Sequence, residues 1–310
     1  MSVDASVLLP VRDAEATLEE TLESLTRQTY GRFEVIVHDD GSTHGSREIA
    51  ARYAERDPRF LLQAAEPRGI VYALNHAATS ATSDLLVRMD ADDVAHPERI
   101  EKLVAFGDLH ADVSFFASRI RYVPREGLSD GMLRYETWIY GLLSHAQIHR
   151  DRFVECPMPH PAWAIRRRAF EALGGYREGP FPEDYELFLR AAQGGVRFGK
   201  VDQCLLDWRE HPDRMSRKDD RFATSAFFRL KLDHLLPHLA RGARPVAVVG
   251  DKRPVKRWTK ALLDNGVLVR EAPQDAYVLI AGGRTETRSL WRERLAGEGL
   301  REETDFLAVQ

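Results

Sequence analysis

Apolar runs of strand length alternate with helical apolar spacing from the first residues of the chain. Ala5 to Val11 is a short apolar run that reads as a buried strand, and Leu18, Leu22 and Leu25 then recur on one helical face. Asp13 stands ahead of that helix as a candidate cap. Phe33 to Val37 predicts a second strand leading into His38-Asp39-Asp40-Gly41-Ser42, and Arg47 to Arg56 predicts the next helix. Leu61-Leu62 opens a third short strand, Val71 to Ala81 reads as helix, and Asp84 to Met89 reads as a strand running into Asp90-Ala91-Asp92-Asp93. Pro97 suits the first turn of a helix carrying Ile100, Leu103, Val104 and Phe106. Strands and helices that alternate in this way predict an α/β fold, a mostly parallel sheet flanked by helices.

From Arg121 to Pro161 the pattern breaks into an irregular stretch rich in Gly, Pro, His and aromatic residues, which reads as a loop region suited to binding. Helical spacing returns from Arg167 to Leu173 and from Glu183 to Ala192, each stopped by a glycine pair, and Ser216 to Leu236 reads as one long helix. After residues 237–245 a new alternation begins: strand Val246 to Val249, helix Val255 to Leu263, strands Val267 to Val269 and Tyr277 to Ile280, helix Thr285 to Leu295. The expected organisation is therefore a larger α/β domain over residues 1–240 and a small α/β accessory unit over residues 241–310. Val248-Val249-Gly250-Asp251-Lys252 lacks the glycine spacing of a dinucleotide-binding turn, so packing, dimerisation or partner contact is expected of that unit instead of cofactor binding.

Composition narrows the class. The 310 residues include 44 Lys and Arg against 48 Asp and Glu, a net charge of −4, which argues against a nonspecific partner such as nucleic acid. No apolar run approaches the roughly 20 residues of a membrane helix, and Met1-Ser2-Val3-Asp4 lacks the basic and apolar regions of a leader. A cytoplasmic location follows as the expectation, with peripheral contact at the inner face of the membrane left open. Cys156 and Cys204 are far apart and outside any paired motif, and they read as reduced packing residues.

Chemistry gathers where strands end. Ligands of open α/β sheets bind beyond the carboxyl ends of the strands, and two acidic clusters fall at two such ends. Asp90-Ala91-Asp92 offers two carboxylates on one short loop to a hard divalent cation that also holds phosphate oxygens. Taken alone, such a loop is also an ordinary solvated turn, with Asp93 favouring the helix that follows.

The ordered set Val7-Leu8-Leu9-Pro10-Val11-Arg12, Val35-Ile36-Val37-His38-Asp39-Asp40-Gly41-Ser42, Arg68-Gly69-Ile70 with Ala73-Leu74-Asn75, and Arg88-Met89-Asp90-Ala91-Asp92-Asp93 with Pro97-Glu98-Arg99 resembles the family 2 glycosyltransferases. Gly174-Gly175-Tyr176-Arg177 and Pro182-Glu183-Asp184-Tyr185-Glu186-Leu187-Phe188-Leu189-Arg190 resemble that family's second block, and together the blocks span about residues 3–215. The resemblance implies a GT-A fold enzyme that transfers a sugar, with inversion, from a nucleoside diphosphate sugar to a hydroxyl of a saccharide or lipid-linked acceptor, in polysaccharide or glycoconjugate synthesis. By the same resemblance Asp39 and Asp40 would meet the base and ribose, with Pro10, Val11 and Arg12 lining that pocket mostly through backbone. Asp90 would face ribose or sugar beside Ala91, and Asp92 would bind Mn²⁺ or Mg²⁺. Asp184 would be the general base, with Glu183 its neighbour toward the acceptor. His211, in Trp208-Arg209-Glu210-His211-Pro212, would approach diphosphate or metal, with a surface histidine the alternative.

Arg68 reads as a phosphate contact or a solvated side chain, and His160 with Trp163 as an acceptor border or a packed loop. Arg166-Arg167-Arg168 reads as a solvated helix face, or as a contact for a phosphate-bearing acceptor or membrane surface. Two rival functions frame the set. A sugar nucleotidyltransferase would want a glycine-rich basic loop near residues 8–16, which the chain lacks. A non-catalytic nucleotide-sugar-binding protein would be expected to lack the base or a metal acid, whereas Asp184 and Asp92 are both present.

Overall fold

The computed structural model describes residues 3–212, 214–242 and 244–310; Met1 and Ser2 of the leader reading and Ala243 of the 237–245 junction lie outside it. The apolar run at the start becomes β1 (Ala5–Val11), followed by α1 (Leu18–Thr26), β2 (Phe33–Asp40), α2 (Ser46–Arg56), β3 (Phe60–Ala65), α3 (Ile70–Ser80) and β4 (Leu85–Arg88). β1, β2 and β4 are buried along nearly their whole length, as central strands covered on both faces must be. Then come β5 (Val94–Ala95), α4 (Arg99–Leu109), β6 (Phe115–Val123), α5 (Asp130–Tyr140), α6 (His145–Arg150), β7 (Trp163–Arg166), α7 (Arg167–Ala172), α8 (Glu183–Gln193) and β8 (Phe198–Arg209). Among the described residues these strands form one sheet in the order β3-β2-β1-β4-β7-β6-β8-β5. The pairs within β3-β2-β1-β4 are parallel, β7 runs antiparallel to both β4 and β6, and β8 runs parallel to β6. This is the expected α/β class, a sheet flanked by helices.

Compactness divides the chain into two units. The first comprises Met1–His145, Met158–Gly179 and Glu183–Lys218; the second comprises Ala146–Pro157, Pro180–Pro182 and Asp219–Gln310. The expected long helix over 216–236 is instead a short α9 (Met215–Lys218), a 3-10 turn (Asp220–Phe222) and α10 (Thr224–Gly242), so residue 240 falls inside a helix of the second unit. Within that unit Lys231 of α10 is 3 % exposed, and its ammonium donates to the carbonyls of Val154 (2.8 Å) and Gln310 (3.1 Å). That bond is one reason why residues 146–157 fold with the second unit instead of their sequence neighbours.

The second unit holds a parallel sheet in the order β10-β9-β11-β12, built from β9 (Val246–Gly250), α11 (Lys252–Asp264), β10 (Val269–Arg270), β11 (Tyr277–Ala281), α12 (Thr285–Gly297) and β12 (Phe306–Val309). Gly250 is held at φ +124, and a Cβ there would lie 2.3 Å from the Ala281 carbonyl, so only glycine fits. The Asp251 carboxylate next to it accepts from the Gly283 N–H (3.2 Å) and the Thr287 hydroxyl (3.0 Å). A fixed negative charge thus lies where a pyrophosphate would need donors.

Three local expectations change. Asp13 does not cap α1: at φ +48 its carboxylate accepts from the Thr43 N–H (2.8 Å), and Thr17 stands at the cap position. The stretch from 121 to 161 holds the end of β6, α5, capped by Ser129, and α6. Arg166 and Arg167 feed main-chain carbonyls: Arg166 reaches Val113 and Gly107, and Arg167 reaches Ser83, Ala78 and Ala81. Only Arg168 of that trio is exposed. A guanidinium offers five donors and suits unpaired carbonyls at strand and helix ends.

Candidate active site

The parallel strands β2, β1 and β4 end side by side, and the loops beyond them carry the acids. Asp39 and Asp40 are the last residues of β2, with Val11 paired to Asp39. Alternation sends their side chains to opposite faces. Asp40 is 3 % exposed and accepts the N–H groups of Arg68 (2.7 Å) and Gly69 (2.8 Å), with Arg12 at 3.7 Å. Asp39 accepts from Arg47 (2.7 Å) and the Ser42 N–H (3.3 Å). Between them and the 66–69 loop sits Gly41, at φ +72, where a Cβ would strike the Pro67 ring at 2.6 Å. Arg68 lays its guanidinium over Tyr72 at 3.8 Å, so the cation is held beside this loop.

The second cluster is held more tightly. α1 supplies two hydroxyls: Thr17 donates to the Ala91 carbonyl (2.9 Å) and Thr21 to that of Asp93 (2.8 Å). β8 closes the other side, with Arg209 donating through Nε to the Asp92 carbonyl (2.7 Å) and through its N–H to the Asp93 carboxylate (2.8 Å). Carboxylate oxygens of Asp90, Asp92 and Asp93 consequently lie within 4.8 Å of one another. Burial, then the charge of Asp90, raises the Asp92 carboxyl; burial, then Asp90 and Asp92, push Asp93 far up. Oδ2 of Asp93 is buried without a partner. His211 meets the group directly, its Nε2 at 2.8 Å from Asp92 Oδ2.

Hard oxygen donors crowded this closely, with one buried oxygen unpaired and an imidazole in contact, fit a divalent cation. Cations already ring the group. Arg88, 3 % exposed at the end of β4, pairs with Asp90. Buried Arg99 spans the carbonyls of Arg88 and Pro161 (2.6 Å each), and burial brings it down to about 10. Arg214 lies over Trp208 at 4.5 Å, and although burial disfavours its charge, its bond to the Glu210 carboxylate and the three acids hold it raised.

Glu183 and Asp184 open α8, Glu183 buried and Asp184 half-buried, with the Asp184 carboxylate accepting the Tyr185 N–H (2.7 Å). A buried pair lies within electrostatic reach of both them and the acid cluster. The Tyr176 hydroxyl lies 2.7 Å from His160 Nε2; burial raises Tyr176, with Asp184, Glu183 and Asp90 adding to the shift and Arg88 opposing it. Asn75 of α3 clamps Tyr176 by accepting its N–H and donating to its carbonyl, both at 2.9 Å. Gly175, at φ +67, leaves room for that amide, since a Cβ would stand 2.6 Å from Asn75 Oδ1. His160 is packed against Trp163 and Tyr176, and burial then Arg88 keep it neutral well below the usual range. The loop reading of His160 and Trp163 thus holds as packing. Arg88, Tyr176, Arg209 and Arg214 carry no role in the sequence pattern, and Asp93 carries only that of favouring the following helix. Their signal was position, since each lies in or beside a quoted motif, the acidic loop, the Gly174-Gly175 pair or the His211 segment.

The profile for glycosyl transferase family 2 matches residues 6–174. This chain belongs to that family. Among curated relatives, the O-antigen biosynthesis glycosyltransferase WbnJ of Escherichia coli is 28% identical over 211 residues, 66% of this chain and 79% of its own. Among solved structures, residues 1–349 of Staphylococcus aureus TarS in complex with UDP-GlcNAc share the fold at TM-score 0.57 and 19% identity, over 76% of this chain and 67% of that one. The mannosyltransferase PcManGT of Pyrobaculum calidifontis, in complex with GDP-Man and Mn²⁺, does so at TM-score 0.53 and 20% identity, over 97% and 82%. The family 2 glycosyltransferase fold here is GT-A, and the protein is a glycosyltransferase.

Proposed function

We propose that this glycosyltransferase is metal-dependent and inverting, moving a sugar from a nucleoside diphosphate sugar to a hydroxyl of a saccharide or lipid-linked acceptor in polysaccharide or glycoconjugate synthesis. The observation that carries the reading is the close group Asp90, Asp92 and Asp93 with His211 on Asp92, a donor set for one hard cation beside the strand ends. Asp92 and His211 hold Mn²⁺ or Mg²⁺, with Asp90 facing ribose or sugar. The cation, when bound, neutralises the leaving diphosphate.

The chain's own residues do the rest. Pro10, Val11, Arg12, Asp39 and Asp40 wall the nucleotide pocket, with Asp40 fixing the Arg68-Gly69 backbone that faces it. Arg68 approaches the phosphates, and Ala91 sets the spacing between the two acids. Asp184 takes the acceptor proton as the acceptor oxygen bonds to the anomeric carbon and the carbon–phosphate oxygen bond breaks, with Glu183 beside it toward the acceptor. One displacement inverts the centre, so no carboxylate is needed as nucleophile. A cytoplasmic site of action with peripheral membrane contact fits an acceptor built there; among the described residues no helix is long and apolar enough to cross a membrane.

Calorimetric titration of UDP, GDP and deoxythymidine diphosphate, with and without Mn²⁺, tests the reading. Binding of one diphosphate that needs metal and is lost in Asp92→Ala is the expected outcome. Binding that ignores metal, or survives in Asp92→Ala, removes the proposed role of the acid group.

A further inference from the structure

Outside the acid group, among the described residues, a second set of ligand-type side chains converges in the first unit. His96 follows β5, and Cys204 and Asp207 lie on β8, the two strands pairing antiparallel at the sheet edge with Val94 opposite Asp207 and Ala95 opposite Leu206. An irregularity in the β6–β8 register falls between Cys204 and Leu206, so residues three apart on β8 both reach the same place. One ligand atom from each of His96, Cys204 and Asp207 lies within 4.8 Å of the others, and all three side chains are half-buried. His96 Nε2 already sits 2.9 Å from Asp207 Oδ1. The Cys204 thiol makes a long 3.8 Å contact with the Leu206 carbonyl and a hydrogen bond with the Tyr140 side chain, which a metal would displace.

We propose that His96, Cys204 and Asp207 form a second metal site, made of residues separate from the acid group and suited to Zn²⁺. Thiolate, imidazole and carboxylate together select a borderline-soft cation, whereas the all-oxygen acid group with one imidazole suits Mn²⁺ or Mg²⁺. Three protein ligands leave the fourth tetrahedral position to water, and the partial exposure of the site admits it. Zinc–ligand bonds of about 2.0–2.3 Å put neighbouring ligand atoms under about 4 Å apart, so the cluster needs only a small contraction. The supporting shell is present. The His96 backbone is fixed by its N–H to Leu205 (3.0 Å) and by Gln28 Nε2 on its carbonyl (2.8 Å). Arg121 donates to both Asp207 oxygens (3.0 and 2.8 Å) and, being half exposed, can keep Oδ2 while Oδ1 turns to the ion.

Cobalt tests the site without any knowledge of donor or acceptor, because Co²⁺ bound by thiolate gives a near-ultraviolet charge-transfer band that oxygen and nitrogen ligands do not give. The full chain is titrated with Co²⁺ under reducing conditions and followed by absorbance, then back-titrated with Zn²⁺. The expected result is a band saturating at one equivalent and removed by Zn²⁺. It is absent in Cys204→Ser, needs at least about 10-fold more cobalt in His96→Ala, and is retained in Asp92→Ala. Circular dichroism of each variant confirms the fold, and the two ligand variants fail independently. No band at stoichiometric cobalt overturns the site. So does a band that survives Cys204→Ser, which would belong to Cys156, or one lost in Asp92→Ala, which would place the thiolate in the acid group.

Discussion

Asp93→Asn isolates the cost of crowding three carboxylates, because the amide keeps the oxygen that accepts the Arg209 N–H and removes the charge. Two unit charges 4.8 Å apart, the outer limit for these acids, repel by about 3.5 kcal/mol at an effective permittivity of about 20. Arg88 on Asp90 and His211 on Asp92 offset part of this, which leaves about 1–2 kcal/mol to be recovered. The new NH₂ replaces the unpartnered Oδ2 and has two carboxylates nearby to accept from it. At about 2–4 °C per kcal/mol the variant should melt about 2–8 °C above wild type in EDTA at about pH 8. The folded chain raises Asp93 above its unfolded value. Stability tied to it is therefore complete below the unfolded carboxyl range and lost as pH rises through the folded pKa, so the gap narrows toward about pH 4.5. Saturating Mn²⁺ should narrow or reverse the gap, since the third carboxylate charge tightens the cation's binding to wild type, and a ligand at about 100 times its Kd adds about 2.7 kcal/mol to the protein that binds it. Scanning calorimetry at both pH values, with EDTA and with Mn²⁺, reads all four cases. A variant less stable than wild type in EDTA at the higher pH, or a gap that does not change with pH, refutes the electrostatic account.

Asp40→Ala frees the Arg68 and Gly69 N–H groups, and should cost about 1–3 kcal/mol in a thermal melt and raise the diphosphate Kd about 10-fold by calorimetry. Asp184→Asn should lower kcat by about 10²–10⁴ while leaving the diphosphate Kd unchanged; an equal loss in binding would move Asp184 out of the base role. Arg167→Met strips a guanidinium from the carbonyls of Ala78, Ala81 and Ser83, and should cost about 2–4 kcal/mol in denaturant unfolding with diphosphate affinity intact. Weaker diphosphate binding at unchanged stability would overturn the structural role of that arginine.

Legibility followed the range of the interactions. β1, β2 and β4 could be read because a strand covered on both faces is apolar along its length, and the acids beyond them stood out as charge at a strand end. β8 could not be read: its pattern runs from four buried residues to exposed Asp202 and Gln203 and back, because its register with β6 is irregular in the middle and β5 covers its outer edge only at Leu206 and Asp207. The break in the apparent helix over 216–236 lies at Asp219, whose carboxylate accepts the Arg221 N–H and starts a 3-10 turn, a local bond that apolar periodicity does not register. α5 was hidden for a similar reason, since only Glu136 and Ile139 of its eleven residues are buried. The Arg167 contacts join residues 84 to 89 positions apart, which no local pattern encodes.

The acid group explains why its neighbours are charged and buried at the same time. A lone buried carboxylate would take a proton; three together would do so more readily, as the upward shifts of Asp92 and Asp93 record. A protonated group binds no cation, so the site works only if positive charge is supplied without closing the metal position. Arg88 at the end of β4 and Arg99 of α4 do this, with Arg209 and Arg214 at and after the end of β8. Arg99 shows what this arrangement requires. It makes its hydrogen bonds to neutral carbonyls and a methionine sulfur, not to a carboxylate, so its charge stays uncancelled toward Asp93 and Asp90. A lysine there would offer one nitrogen for groups the guanidinium spans with two, and burial would tend to neutralise it. Under the proposed metal reading the buried arginines belong to the chemistry of the acids although no ligand needs to touch them. Substituting Arg99 should act on cation affinity and its pH dependence before it acts on the nucleotide pocket.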